Sequence, residues 1–235
     1  VRRCLLLLLF VLGTVACEGE PVTPPRDAGV QGSACASLAS TPVGTLGQAV
    51  QRLHALPTPS VACFVESLPR PLPLVATRGV LSAQPASGAD NPRLFFFTGQ
   101  LVSSVVAAGH GAPLIEFGEW VTPKRTLKGE VVLPTDGGVP TLDPFATLGG
   151  DDGQTVCATC HRFEERSATV DGGFVSVAFR PEPGTEVPLA TVRALYQACV
   201  DANDASARCA LYRAVFEHGA VTQGAFDPAV ERLIQ

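Results

Sequence analysis

The sequence predicts an α+β domain: an antiparallel β-sheet region, then a segment carrying a cysteine–histidine motif, then a C-terminal helical hairpin. Three observations carry this expectation. Between residues 93 and 133, runs of apolar, β-branched and aromatic residues follow one another across turn-forming segments, as strands do. From Leu189 onward the apolar spacing changes to three and four, the period of a helix. The 23 glycines and 20 prolines supply more turns than a helical bundle uses.

The elements follow in order. Residues 1–16 begin with Arg2 and Arg3, continue with an apolar run from Leu5 to Leu12 and end in small residues. That is the layout of a signal peptide, with an apolar run too short to remain as a membrane span. Residues 17–40 are rich in Pro, Gly and small polar residues and read as a flexible tether. A single domain over 41–235 is expected to follow. Its first helix lies within Thr41–Leu56, where Leu46, Val50 and Leu53 share a face and Pro57 stops the helix.

Residues 61–135 read as sheet-rich. Arg93–Thr98 and Leu101–Ala107, separated by Gly99-Gln100, form a hairpin or one long bulged strand. Leu114–Val121 alternates, placing Ile115 and Phe117 inward, with Trp120 a further inward candidate, and Glu116 and Glu119 outward. His110 sits between two glycines in the turn before it, and Thr126–Leu133 is the next strand. A loop rich in Asp, Gly and Pro covers 135–153, and the motif and helices occupy 154–235. There, Asp171–Phe179 reads as a strand, and Leu189–Val200 and Arg208–Glu217 as the two helices of the hairpin.

Charge narrows the function. Seventeen Lys and Arg stand against 22 Asp and Glu, for a net charge of −5, so no basic field exists to grip nucleic acid. The chain carries no P-loop, no GxGxxG fingerprint and no HExxH zinc motif.

Eight cysteines stand at 4, 17, 35, 63, 157, 160, 199 and 209. Cys4 falls in the signal segment. Cys17 follows Thr14-Val15-Ala16, a stretch that resembles the lipobox of bacterial lipoproteins, although Thr14 stands where Leu is usual. The resemblance implies cleavage before Cys17 and a lipid anchor on it; ordinary secretion, with Cys17 as a thiol, is the alternative. Two or more acyl chains anchor a protein stably. Glu18 rather than Asp follows the cysteine, which in the lipoprotein sorting rule implies the outer membrane of the cell envelope, facing the periplasm. In that compartment disulfides persist.

Cys157-Ala158-Thr159-Cys160-His161 is a C-x-x-C-H sequence. Two thiols three residues apart can reach two neighbouring vinyl groups on a porphyrin edge, and the adjacent imidazole can then meet the iron. On this composition the chance expectation of such a match is roughly 0.004. A redox-active CxxC calls for a βαβ unit around it, and a structural zinc site calls for four ligands; neither context is visible. The motif resembles the haem-attachment signature of c-type cytochromes. It implies haem c bound covalently to Cys157 and Cys160, with His161 as an axial iron ligand. The resemblance covers these five residues and the export signal. No amphipathic helix precedes the motif, and the chain has no methionine, so a methionine ligand is excluded and no other cytochrome residue is carried over. His218 and His110 are the candidates for the second axial position, which is otherwise open. His54 reads as an ordinary helix residue.

Cys35, Cys63, Cys199 and Cys209 remain, with three possible pairings. The sequence-local pairs Cys35–Cys63 and Cys199–Cys209 are favoured, because short loops close readily. Taken together, these features point to a lipid-anchored envelope protein with one haem, relaying electrons to a redox partner protein rather than catalysing a reaction. Two other readings stand beside it: an open-site haem sensor or peroxidase-like protein, and a haem-free binding or structural lipoprotein with the CxxC as a disulfide.

Overall fold

The computed structural model describes residues 33–82, 84–133, 142–149 and 153–232. The signal segment and Cys17 lie outside them. Two helices come first, α1 (Leu46–Ala55) and α2 (Val61–Glu66), each opened by a hydroxyl cap. The Thr45 side chain accepts from the Gln48 amide, and the Ser60 side chain from the Cys63 amide. Leu46, Ala49 and Leu53 form the buried stripe of α1. Helix α2 falls where the sequence reads as sheet. Its apolar run is too short for periodicity to separate helix from strand, and the Ser60 cap decides the outcome.

Strands β1 (Leu72–Thr77), β2 (Arg93–Thr98), β3 (Leu101–Val106), β4 (Leu114–Thr122) and β5 (Arg125–Val132) form a consecutive antiparallel meander. The expected hairpin turns at Gly99-Gln100, where Gly99 has φ 59° and the turn packs against Gly44. Beyond β5 come β6 (Glu165–Arg166), β7 (Phe174–Val177), β8 (Phe179–Arg180) and β9 (Glu186–Val187). Helices α3 (Leu189–Asp201) and α4 (Ala207–Phe216) follow, then β10 (Val221–Gln223) and β11 (Glu231–Arg232). The main sheet runs β10-β1-β2-β3-β4-β5-β7-β6, with β9 also on β1 and only β10 parallel to its neighbour. A separate parallel pair joins β11 to β8.

The period of two sorts the sheet into two faces. Leu94, Phe96, Leu101, Val105, Ile115, Phe117, Leu127 and Val131 belong to the core shared with the helices. Phe64 of α2 meets Phe117 edge-on at 5.7 Å. Helix α1 comes so close to β5 that a Cβ on Gly129 would lie 3.1 Å from Leu46 Cδ2. Both favoured disulfides are present: Cys199–Cys209 staples α3 to α4, and Cys35–Cys63 ties the start of the described chain to α2. Residues 36–40, at the end of the stretch read as a tether, form a 3-10 turn beside that bridge. No helix among the described residues is long and apolar enough to cross a membrane.

The outward reading of the β4 acids needs correction. Glu119 lies on the helix face, where its Oε2 accepts the Leu46 amide at 2.7 Å, the first turn of α1. A carboxylate is favoured there by the unpaired amides and the helix dipole. Glu116 does point to the opposite face, but that face is covered, and its carboxylate pairs with Arg93. Trp120 shares the Glu116 side and is only half-buried.

Candidate haem-attachment site

The covered face of the sheet presents Arg93 and Phe95 from β2, Ser104 from β3, Glu116 and Trp120 from β4, and Thr126 and Lys128 from β5. Over it lies the motif segment. Thr155 begins that segment: its side-chain oxygen accepts the Cys157 amide at 3.1 Å, opening a 3-10 turn over Val156–Thr159. The Thr155 amide and hydroxyl both donate to the Glu164 carboxylate, each at 2.6 Å, so the segment is clasped at both ends. Within it the Cys157 carbonyl accepts from the amides of Cys160 (3.1 Å) and His161 (2.7 Å). The turn thereby places both cysteines and the histidine along one wall.

Cys157, Cys160 and His161 all line a single cavity of about 270 Å3. That is just under the usual size of small-molecule sites, and the cavity is open to solvent on one side. Cys157 is half-buried and Cys160 exposed, and neither is in a disulfide. Burial pushes the Cys157 thiol up from its ordinary range, so this sulfur remains a thiol at neutral pH. A disulfide oxidoreductase requires the opposite shift.

His161 is anchored from behind. Its Nδ1 lies 2.7 Å from the Val177 carbonyl oxygen at the end of β7, and the Val177 amide donates to the Arg162 carbonyl at 3.1 Å. The Phe179 ring packs against the imidazole, centroids 5.5 Å apart, and the Arg162 guanidinium lies over Phe179. Burial, then the nearby Lys128 charge, lowers the His161 pKa to about 3, so the ring is neutral at physiological pH. With Nδ1–H donating to Val177, Nε2 carries the lone pair, which is the arrangement of a metal-ligating histidine. Lys128 is pushed down to about 8, chiefly by burial.

The far end of the cavity is built differently. Arg93 pairs with Glu116, donates to Ser104 Oγ and also bonds Ser82 Oγ. His161 sits over β5 and β7, and β2 lies three strand spacings from β5, about 14 Å. Phe226, from the chain after β10, closes this end by meeting Phe95 and Phe97 edge-on at 5.2 and 5.0 Å. Arg180 holds that segment, donating to the carbonyls of Val230 (2.9 Å) and Pro228 (3.3 Å), and Glu231 lies 3.9 Å from Arg162. The last described residues therefore strap down beside the motif.

The two histidines expected as second axial candidates are placed elsewhere. His218 lies on the helical side of the sheet, its Nε2 3.6 Å from Glu66 Oε1. His110 is exposed in the turn between β3 and β4. Neither lines the cavity. Sequence reasoning missed Lys128, Arg93 and Glu116 as cavity residues. Only their alternation along strands, on a face that reads as solvent, could have marked them. Among the described residues, one trio of metal-capable groups gathers within 4.8 Å: Cys199, Asp204 and Cys209. Its two sulfurs are spent in a disulfide. No known protein family, curated protein or solved structure matches the chain.

Proposed function

We propose that this chain is a lipid-anchored c-type haem protein of the bacterial cell envelope that relays single electrons to a redox partner protein. One observation carries the reading: two thiols outside any disulfide and an imidazole anchored through Nδ1 stand together on the wall of one cavity. Cys157 and Cys160 would hold the porphyrin by thioethers, each sulfur adding to one vinyl carbon and its hydrogen to the other. His161 would offer Nε2 to the iron. The bound group would supply one-electron chemistry. Phe95, Phe179 and Phe226 supply apolar walls suited to a flat macrocycle.

Expression with a haem-attachment system tests this reading. The mature mass should include the porphyrin, and a denaturing gel should show covalently held haem. Cys157→Ala with Cys160→Ala should abolish the stain. A mature wild type of porphyrin-free mass would leave the haem-free lipoprotein as the reading. The anchor is tested separately: the protein should partition into detergent, and Cys17→Ser should remain aqueous or unprocessed.

A second reading has its own support. His161 is the one imidazole lining the cavity among the described residues, and the chain has no methionine. An iron held only by His161 would bind small ligands, as a sensor or peroxidase-like protein does. Rapid carbon monoxide binding by the reduced wild type favours that reading; its absence favours electron relay.

A further inference from the structure

We propose that Lys128 is a positioning residue for His161, placing a positive charge behind the imidazole to set how strongly the ring donates to iron. The inference rests on the haem reading above for its effect on iron, though not for the contact itself. Lys128 lies on β5 opposite Gly118 of β4 and Phe174 of β7. The lysine is 8% exposed. Its Nζ lies 3.2 Å from His161 Nδ1.

Two groups thus compete for one nitrogen. As N–H, Nδ1 can donate to the Val177 carbonyl at 2.7 Å; as a bare nitrogen, it can accept from Lys128 at 3.2 Å. An ammonium has three donors and no lone pair, so it cannot share the first arrangement as an acceptor. The shorter contact favours the Val177 partnership and leaves Nε2 free. The lysine charge then lies beside a donating N–H. A carbonyl behind the ring makes it a stronger donor to a metal, whereas a cation there withdraws electron density.

A packing role does not account for this arrangement. Burying an ammonium is costly, and an apolar residue of similar volume would fill the space at less cost. The acids that face Lys128 are Glu116 and Glu164, and Arg93 and Cys157 share the same surroundings. Glu116 is engaged by Arg93, and Glu164 by Thr155. Neither carboxylate is within hydrogen-bond distance of the Lys128 ammonium, whereas His161 Nδ1 is, at 3.2 Å.

The test uses Lys128→Met, Lys128→Arg and Lys128→Gln in the full chain. In haem-free protein, nitrogen-detected NMR of His161 reads the two tautomers. Removing the charge-assisted competitor should shift the ratio toward Nδ1–H by about tenfold. In protein carrying haem, Lys128→Met should lower the midpoint potential, since loss of a nearby positive charge favours ferric iron. Lys128→Arg should restore it. If Lys128→Met does not fold, Lys128→Gln removes the charge and gives the same two readouts. An unchanged tautomer ratio and an unchanged potential would overturn the proposal. A wild type that never takes up haem would defeat the haem reading instead, and the NMR measurement would still decide whether Lys128 acts on His161.

Discussion

His161 Nδ1 lies 2.7 Å from the carbonyl oxygen of Val177, so a side chain from the motif turn is fixed by the backbone of a sheet strand. Attachment of the turn to the sheet, rather than the turn alone, sets the ring's orientation. The same burial holds the His161 pKa near 3, against about 6.5 in an unfolded chain.

A pH dependence follows for the haem-free protein. As pH falls below about 6.5, the unfolded chain takes up a proton at His161 that the folded chain refuses until about 3. Stability should decline across that window and gain nothing from this group above it. Lys128 acts with the same sign at higher pH, costing stability as pH falls from 10.5 to about 8. Urea midpoints measured from pH 7 to 4 should fall, and less steeply in His161→Gln. Identical slopes would show that the ring titrates freely in the folded chain.

Glu119 should matter to α1 although it lies 73 residues away from Leu46 in sequence. Glu119→Ala removes the acceptor for a first-turn amide and a charge favoured at that end, which should cost about 1 kcal/mol. Glu119→Gln should recover part of the loss. Thermal or urea denaturation of the three proteins checks this ordering.

The fate of Glu119 shows where the sequence is legible. Alternation in Leu114–Val121 correctly sends Ile115 and Phe117 to the core, because burial of apolar side chains leaves a period-two trace. The same alternation says nothing about what lies above each face. Glu119 meets a helix end brought there by tertiary packing, and Glu116 pairs with Arg93 two strands away in the sheet. Likewise, spacing alone singled out Cys157, Cys160 and His161, which the structure brings to the wall of one cavity. Lys128 and Arg93 belong to the cavity only through strand register, which single-sequence patterns do not fix. The short apolar run of α2 went to the wrong element for want of length.

Breaking the Arg93–Glu116 pair should be costly. Their side chains are 15% and 21% exposed, and Glu116 stands directly opposite Glu130 across β4 and β5. Arg93→Met leaves a half-buried carboxylate beside another, with an expected loss of about 3 kcal/mol. Combining it with Glu116→Gln should return much of that loss. A double-mutant cycle by urea denaturation measures the coupling, and additive effects would show that the pair contributes little.

The two disulfides should contribute unequally. On loop closure alone, Cys35–Cys63, with 28 residues of separation, should be worth about 4 kcal/mol, and Cys199–Cys209, with 10, about 3 kcal/mol. Replacing each pair by alanine and comparing stabilities checks the order. A larger loss from the shorter loop would show that the staple between α3 and α4 acts mainly in the folded state.

Arg180 and Phe226 bind the end of the described chain over a cavity whose two thiols lie earlier in the sequence. If the chain is exported N-terminus first, as the proposed envelope location requires, that arrangement becomes a matter of timing. The turn bearing Cys157 and Cys160 emerges while the residues that later cover its neighbourhood are still in transit. Any enzyme that modifies those sulfurs then meets an uncovered sheet, and arrival of the last strand ends the interval. Slowing release of the C-terminus would lengthen the period of access without altering a single contact of the finished fold.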